Sequence, residues 1–108
     1  MEYNAKLVFH IPCKAWDNGL TDIDYKAFKQ ILLNDLAAIG LTNSYTVSAA
    51  AYYKGREYEE LLLTVFCENQ YKDKAAETFR QAFRRHNDIM RQEAFAYECN
   101  GNLTVEEL

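Results

Sequence analysis

The sequence predicts an α+β domain in which one antiparallel sheet of four strands carries two helices on a single face. Three observations predict it. Four runs alternate with period two. Two longer runs repeat apolar residues at steps of three and four. The runs occur in the order β-α-β-β-α-β. At 108 residues, 49% of them hydrophobic, the chain suits one domain with one core.

The first strand covers residues 5–11, "AKLVFHI". Ala5, Leu7, Phe9 and Ile11 fall on one side, Lys6, Val8 and His10 on the other. Pro12 has no N–H for a ladder, so the strand ends there or lies on an edge. Asn18-Gly19 is a turn signal. The first helix is expected to start at Thr21, whose hydroxyl caps the first turn with Asp24 three residues on. Acidic Asp22 and Asp24 also suit the positive end of the helix dipole. Tyr25, Phe28, Leu32, Leu36 and Ile39 form its buried stripe, and Gly40 closes it in the left-handed conformation.

The stretch "VSAAAYYKGR" at 47–56 holds three alanines, which suit a helix. The surrounding Tyr, Thr, Val and Ser residues suit a strand, and Lys54-Gly55-Arg56 supplies a turn. Residues 44–53 and 58–67 therefore read as a hairpin. On its second strand Leu61, Leu63, Val65 and Cys67 oppose Leu62, Thr64 and Phe66, so both sides are apolar. On its first strand we expect Ala50 and Tyr52 to face away from the helices, although the alternate set of Tyr45, Val47, Ala49, Ala51 and Tyr53 is no more polar. Residues 71–91 form the second helix, with Tyr71, Ala75, Phe79, Ala82, Phe83, His86 and Met90 as its stripe and Asn87 as an alternative end. Residues 93–99 give the last strand. Residues 100–108 give an extra edge strand or a frayed tail.

This order of elements is the ferredoxin-like architecture, with both β-α-β halves crossing over right-handedly. The fold hosts unrelated activities, so it leaves function open. It does leave one sheet face without a helix. The expected open face carries Val8, His10, Tyr52, Leu62 and Phe66, with small Ala50, Ala94 and Ala96 beside them. Burying such side chains is worth roughly 1.5–3 kcal/mol each, so something is expected to cover them. A second copy of the chain is the simplest cover. The alternative is that Leu103 and Val105 fold across the face.

The formal charge of −4 argues against a general nucleic-acid binder. No apolar run approaches the ~20 residues of a membrane span, and no N-terminal signal pattern is present. Cys13, Cys67 and Cys99 are scattered without motif spacing, which fits reduced thiols in the cytoplasm. No phosphate-loop, dinucleotide or nucleophile-elbow motif occurs. No His, Cys or carboxylate set has metal-ligand spacing, so neither a cofactor nor a metal is expected. His86 belongs to a helix stripe. His10 is the better functional candidate, and Cys13 would be a nucleophile only with a base beside it.

The main expectation is a non-catalytic protein-interaction module that binds itself or another protein through the open face. One alternative is a small acidic phage or mobile-element inhibitor of a bacterial nuclease defence system, anti-CRISPR-like, acting through Asp17, Asp22, Glu57, Glu59 and Glu60. Another is a small-molecule binder or enzyme using His10, with Tyr52, Tyr97 and Trp16 around a cavity of roughly 300 Å3 or more and a perturbed imidazole.

Overall fold

Alternation in the first strand becomes burial: Ala5, Leu7, Phe9 and Ile11 are fully buried, whereas Val8 and His10 are half-buried on the opposite side. The computed structural model describes residues 2–108. Its strands are β1 (Ala5–Pro12), β2 (Lys14–Trp16), β3 (Leu20–Asp22), β4 (Ser44–Tyr53), β5 (Arg56–Cys67), β6 (Ala94–Cys99) and β7 (Asn102–Glu107). Its helices are α1 (Tyr25–Ala38), α2 (Lys72–Arg85) and α3 (Asn87–Met90).

The chain is a mixed α+β domain. Five strands form an antiparallel sheet in the order β4-β5-β1-β6-β7, and β2 and β3 form a separate hairpin. The four expected strands are present. The fifth, β7, extends the sheet beyond them, so residues 102–107 are an edge strand and not a frayed tail. Leu103 and Val105 lie on that edge and stay exposed instead of folding across the open face. No helix among the described residues is long and apolar enough to cross a membrane.

One face of the sheet packs on α1 and α2 through aromatic rings. Phe9 stacks on Phe79 at 4.5 Å between centroids, Phe83 stacks on Phe95 at 5.2 Å, and Phe28 lies 4.9 Å from Phe83. Leu32, Leu36, Leu63 and Val65 complete this core. Such ring pairs add about 0.5–1.5 kcal/mol each beyond the area they bury.

Two helix boundaries differ from expectation. The cap of α1 is Asp24, whose carboxylate accepts from the Ala27 N–H at 3.1 Å. Thr21 instead belongs to β3 and donates its hydroxyl to the Ala15 carbonyl. The second helical run breaks at His86, where the backbone leaves helical geometry, and α3 then ends at Arg91 with a left-handed φ of 49°. Gly40 adopts φ +83°, closing the first helix as its position implied.

The turn between β4 and β5 has two residues, Lys54 and Gly55, both at positive φ, which is the turn geometry that matches strand twist. It pairs Tyr53 with Arg56 and so fixes every later pair of the hairpin. Because Ser48 pairs with Leu61, the even-numbered residues of β4, Tyr52 among them, lie on the helix side of the sheet. Tyr45, Val47, Ala49, Ala51 and Tyr53 share the open side, the reverse of the expected choice. The reason is that β4 is an edge strand, exposed along almost its whole length, so no helix selects its inward set.

The open face is partly closed by the sheet's own curl. Lys54 at the hairpin tip lies 3.4 Å from Glu93, which precedes β6, two strands away from β5. The tip therefore arches over β1 and β6. Further back on the same face, Tyr45 lies 6.0 Å from Phe66.

Candidate functional site

Under the arch lies a cavity of about 300 Å3. Its floor is His10, Ala94 and Ala96 from the central strands with Leu103 and Val105 from the edge. Its walls are Trp16, Tyr53, Arg56, Tyr58 and Glu60. Of the four candidate lining residues, His10, Trp16 and Tyr52 border it. Tyr97 does not: it is buried on the helix side, where its hydroxyl accepts from Arg80 at 2.7 Å.

Strand period explains the wall. Leu61, Leu63, Val65 and Cys67 turn into the core or its edge, so Leu62, Glu60, Tyr58 and Arg56 turn the other way. The alternation read at 61–67 extends back to Arg56 and was the signal for this set. Grouping Glu57, Glu59 and Glu60 as one acidic loop concealed it. In the same way Glu98 shares the outward set of β6 with Ala94 and Ala96.

These registers meet at His10. Its Nδ1 lies 3.2 Å from a carboxylate oxygen of Glu60, and its Nε2 lies 2.8 Å from one of Glu98. Both ring nitrogens face acceptors, which favours the doubly protonated ring. Burial alone would lower the pKa of His10, but the hydrogen bonds and charges of Glu60 and Glu98 outweigh it and hold the imidazole above its ordinary 6.5. With both nitrogens so engaged, His10 has no lone pair to give a metal. The trio is a hydrogen-bonded set of one imidazole and two carboxylates.

Cys13 sits close by in sequence, with its N–H bonded to the Glu59 carbonyl. Burial, helped by Glu59 and Glu60, pushes its thiol up to about 11. It is therefore a poor nucleophile near neutral pH.

The residues expected to form an acidic surface are dispersed. Asp17 pairs with Arg91 at 3.0 Å, Asp22 with Lys14, and Glu60 with His10. Glu57 and Glu59 point to the opposite side of the hairpin, into a wider and more open concavity of about 470 Å3 beside Lys14 and Leu20. Among the expected sheet-face residues, Val8, His10, Leu62 and Phe66 do lie on the open side, each at least partly covered, and Tyr52 does not.

No family model matches the sequence, and no curated protein matches it. Solved structures do match its fold over the whole chain. A phage S-adenosylmethionine (SAM) lyase in complex with S-methyl-5′-thioadenosine superposes with a TM-score of 0.68 at 8% identity, covering 100% of this chain and 92% of the other. A phage SAM lyase in its apo state gives 0.61 at 12% identity, covering 100% and 95%. At these identities the likeness establishes the shared fold. It also corrects the expectation of a non-catalytic interaction module or anti-CRISPR-like inhibitor: the whole-chain neighbours are an enzyme, one of them holding a small molecule.

Proposed function

We propose that this chain is a small-molecule lyase acting on a sulfonium nucleoside such as SAM, with its reaction centre at His10, Glu60 and Glu98. The observation that carries the reading is the imidazole pinned between two carboxylates on the floor of an aromatic-walled cavity. The whole-chain fold likeness to SAM lyase supports the choice of substrate class.

The chemistry suits the groups present. S-methyl-5′-thioadenosine keeps the sulfur, the methyl group and the nucleoside of SAM. Its release therefore breaks the bond between sulfur and the amino-acid side chain. The electron pair of that bond returns to sulfur, and the positive charge disappears. In an elimination, a carboxylate of the trio takes a proton from the carbon next to the breaking bond, and the C–H pair becomes the new double bond. In an internal displacement, the substrate's own carboxylate forms the new C–O bond and no proton leaves carbon.

Both routes discharge a cation in the transition state. A site that held the sulfonium too tightly would slow the step, since only differential binding accelerates it. The His10 imidazolium offsets part of the negative charge of Glu60 and Glu98. The site thus attracts the cation without trapping it. The aromatic wall of Trp16, Tyr53 and Tyr58 offers ring faces to the sulfonium and the base.

The test is to incubate the folded protein with SAM and follow S-methyl-5′-thioadenosine by chromatography. Product formation that falls at least about 100-fold in Glu60→Gln supports the reading. No product from the wild type, with no calorimetric binding of S-methyl-5′-thioadenosine, overturns it. Deuterium on the carbon beside the reacting one is lost in elimination and retained in displacement, which separates the two routes.

A further inference from the structure

The cavity has two chemically different ends: the acid–base trio at one, and a cation resting on an aromatic ring at the other. There the Arg56 guanidinium lies 3.9 Å from the centroid of the Trp16 ring, and Tyr58 meets that ring edge-on at 6.4 Å. Besides His10, three cationic side chains border the cavity. Lys54 is paired with Glu93 and Arg91 with Asp17, whereas Arg56 has no carboxylate partner among the described residues. Its guanidinium rests on the face of Trp16.

We propose that the Arg56–Trp16 pair is the specificity element of the site: the purine base stacks on Trp16, and the guanidinium moves from that face to the substrate's α-carboxylate. This inference rests on the nucleoside-sulfonium reading above. Its own basis is the order of groups along β5. Arg56, Tyr58 and Glu60 take alternate positions on one side of the strand, spaced by about 7 Å per pair. A fork for a carboxylate, an aromatic surface and an acid for a cation thus follow one another along the wall. In an aminoacyl nucleoside sulfonium the sulfur lies between the carboxylate and the base, so a ligand folded at sulfur sets the cation beside Glu60 and brings both its carboxylate and its flat base back to the end held by Arg56, Tyr58 and Trp16. Guanidinium and purine compete for the same ring face, because both are flat and both gain from the π cloud. A ligand that supplies both a base and a carboxylate resolves that competition. A ligand with a base alone displaces the guanidinium and gives it nothing in return.

The test uses two uncleaved probes: S-methyl-5′-thioadenosine, which has no carboxylate, and S-adenosylhomocysteine, which has one. Trp16 is the single tryptophan of the chain, so its emission reports stacking directly. Both probes are expected to quench it. Arg56→Gln is expected to weaken S-adenosylhomocysteine at least about tenfold and the thioadenosine less than about twofold, with Arg56→Lys between. For SAM itself the Arg56→Gln effect falls on KM more than on kcat. Arg56 is exposed, so the variant tests recognition more than folding. Equal weakening of both probes, or calorimetric binding that leaves Trp16 emission unchanged, overturns the pair's role while the lyase reading stands. Failure of both probes to bind the folded wild type removes the lyase reading and this inference together.

Discussion

Two cations in this molecule each sit between two carboxylates, and they do different work. On the open face His10 is held by Glu60 and Glu98. On the helix side Arg80 of α2 reaches Glu106 of β7 at 2.7 Å, Glu77 one turn back, and the Tyr97 hydroxyl. The Arg80 cluster ties the edge strand to the helix layer. Its guanidinium is charged at every accessible pH, and Glu106 and Glu77 hold its proton more firmly still. The His10 cluster has the same topology, but its cation is an imidazolium, a group that can give up its proton, although Glu60 and Glu98 hold it above its ordinary 6.5. The difference teaches that a cation between carboxylates is a fastener or a reaction centre according to whether that cation titrates and whether a cavity adjoins it.

Substitution separates the two most sharply. His10→Gln is expected to lower SAM cleavage by about 100-fold or more, since acid–base positioning contributes on that scale, and to cost less stability than Arg80→Gln once the pH is above the folded pKa of His10. Arg80→Gln should do the reverse. It leaves Glu106 and Tyr97 short of a donor in a half-buried setting and is expected to cost about 2 kcal/mol in denaturant unfolding, with turnover retained. If both variants lose stability alike and neither loses turnover, the distinction collapses.

Acidity sharpens the contrast next. The folded pKa of His10 is raised above its unfolded value, so its protonated form adds stability that is fully present below the unfolded 6.5. That contribution is lost as pH rises through the folded pKa. The stability gap between wild type and His10→Gln should therefore shrink as the pH rises above 6.5 and through the folded pKa. The gap for Arg80→Gln should stay level over the same range. Unfolding curves at several pH values check both.

The smallest effect belongs to the exposed Lys54–Glu93 pair, which spans the arch. Lys54→Met should change stability only slightly, an effect measurable at low salt and fading as salt is added.

Much of the scaffold was legible because its cause is local. Steps of three and four gave Phe28, Leu32 and Leu36 on α1 and Phe79 and Phe83 on α2, and period two gave the buried set of β1. The β2–β3 hairpin was legible only as a turn at Asn18-Gly19, since three-residue strands carry too little pattern to read. The face of β4 was not legible, because both of its alternate sets are similarly apolar and its neighbours, not its composition, decide between them. The site itself joins residues 50 and 88 positions apart, His10 to Glu60 and His10 to Glu98. Strand register across a sheet sets such pairs, and sequence alone does not reveal it. What sequence did offer was the candidacy of His10 and a last strand at 93–99, which contains Glu98.

Strand β5 is a single ruler with two scales. Its odd marks from Leu61 onward are gripped by the helices, and that grip dictates where its even marks from Arg56 to Leu62 must point. Inserting one amino acid between Glu60 and Leu61 would leave the gripped half undisturbed and rotate the other half by half a pleat. Arg56, Tyr58 and Glu60 would then trade places with Glu57 and Glu59. Descendants of this chain are free to swap side chains along that segment, but an odd-numbered change in its length would turn the chamber inside out in one step.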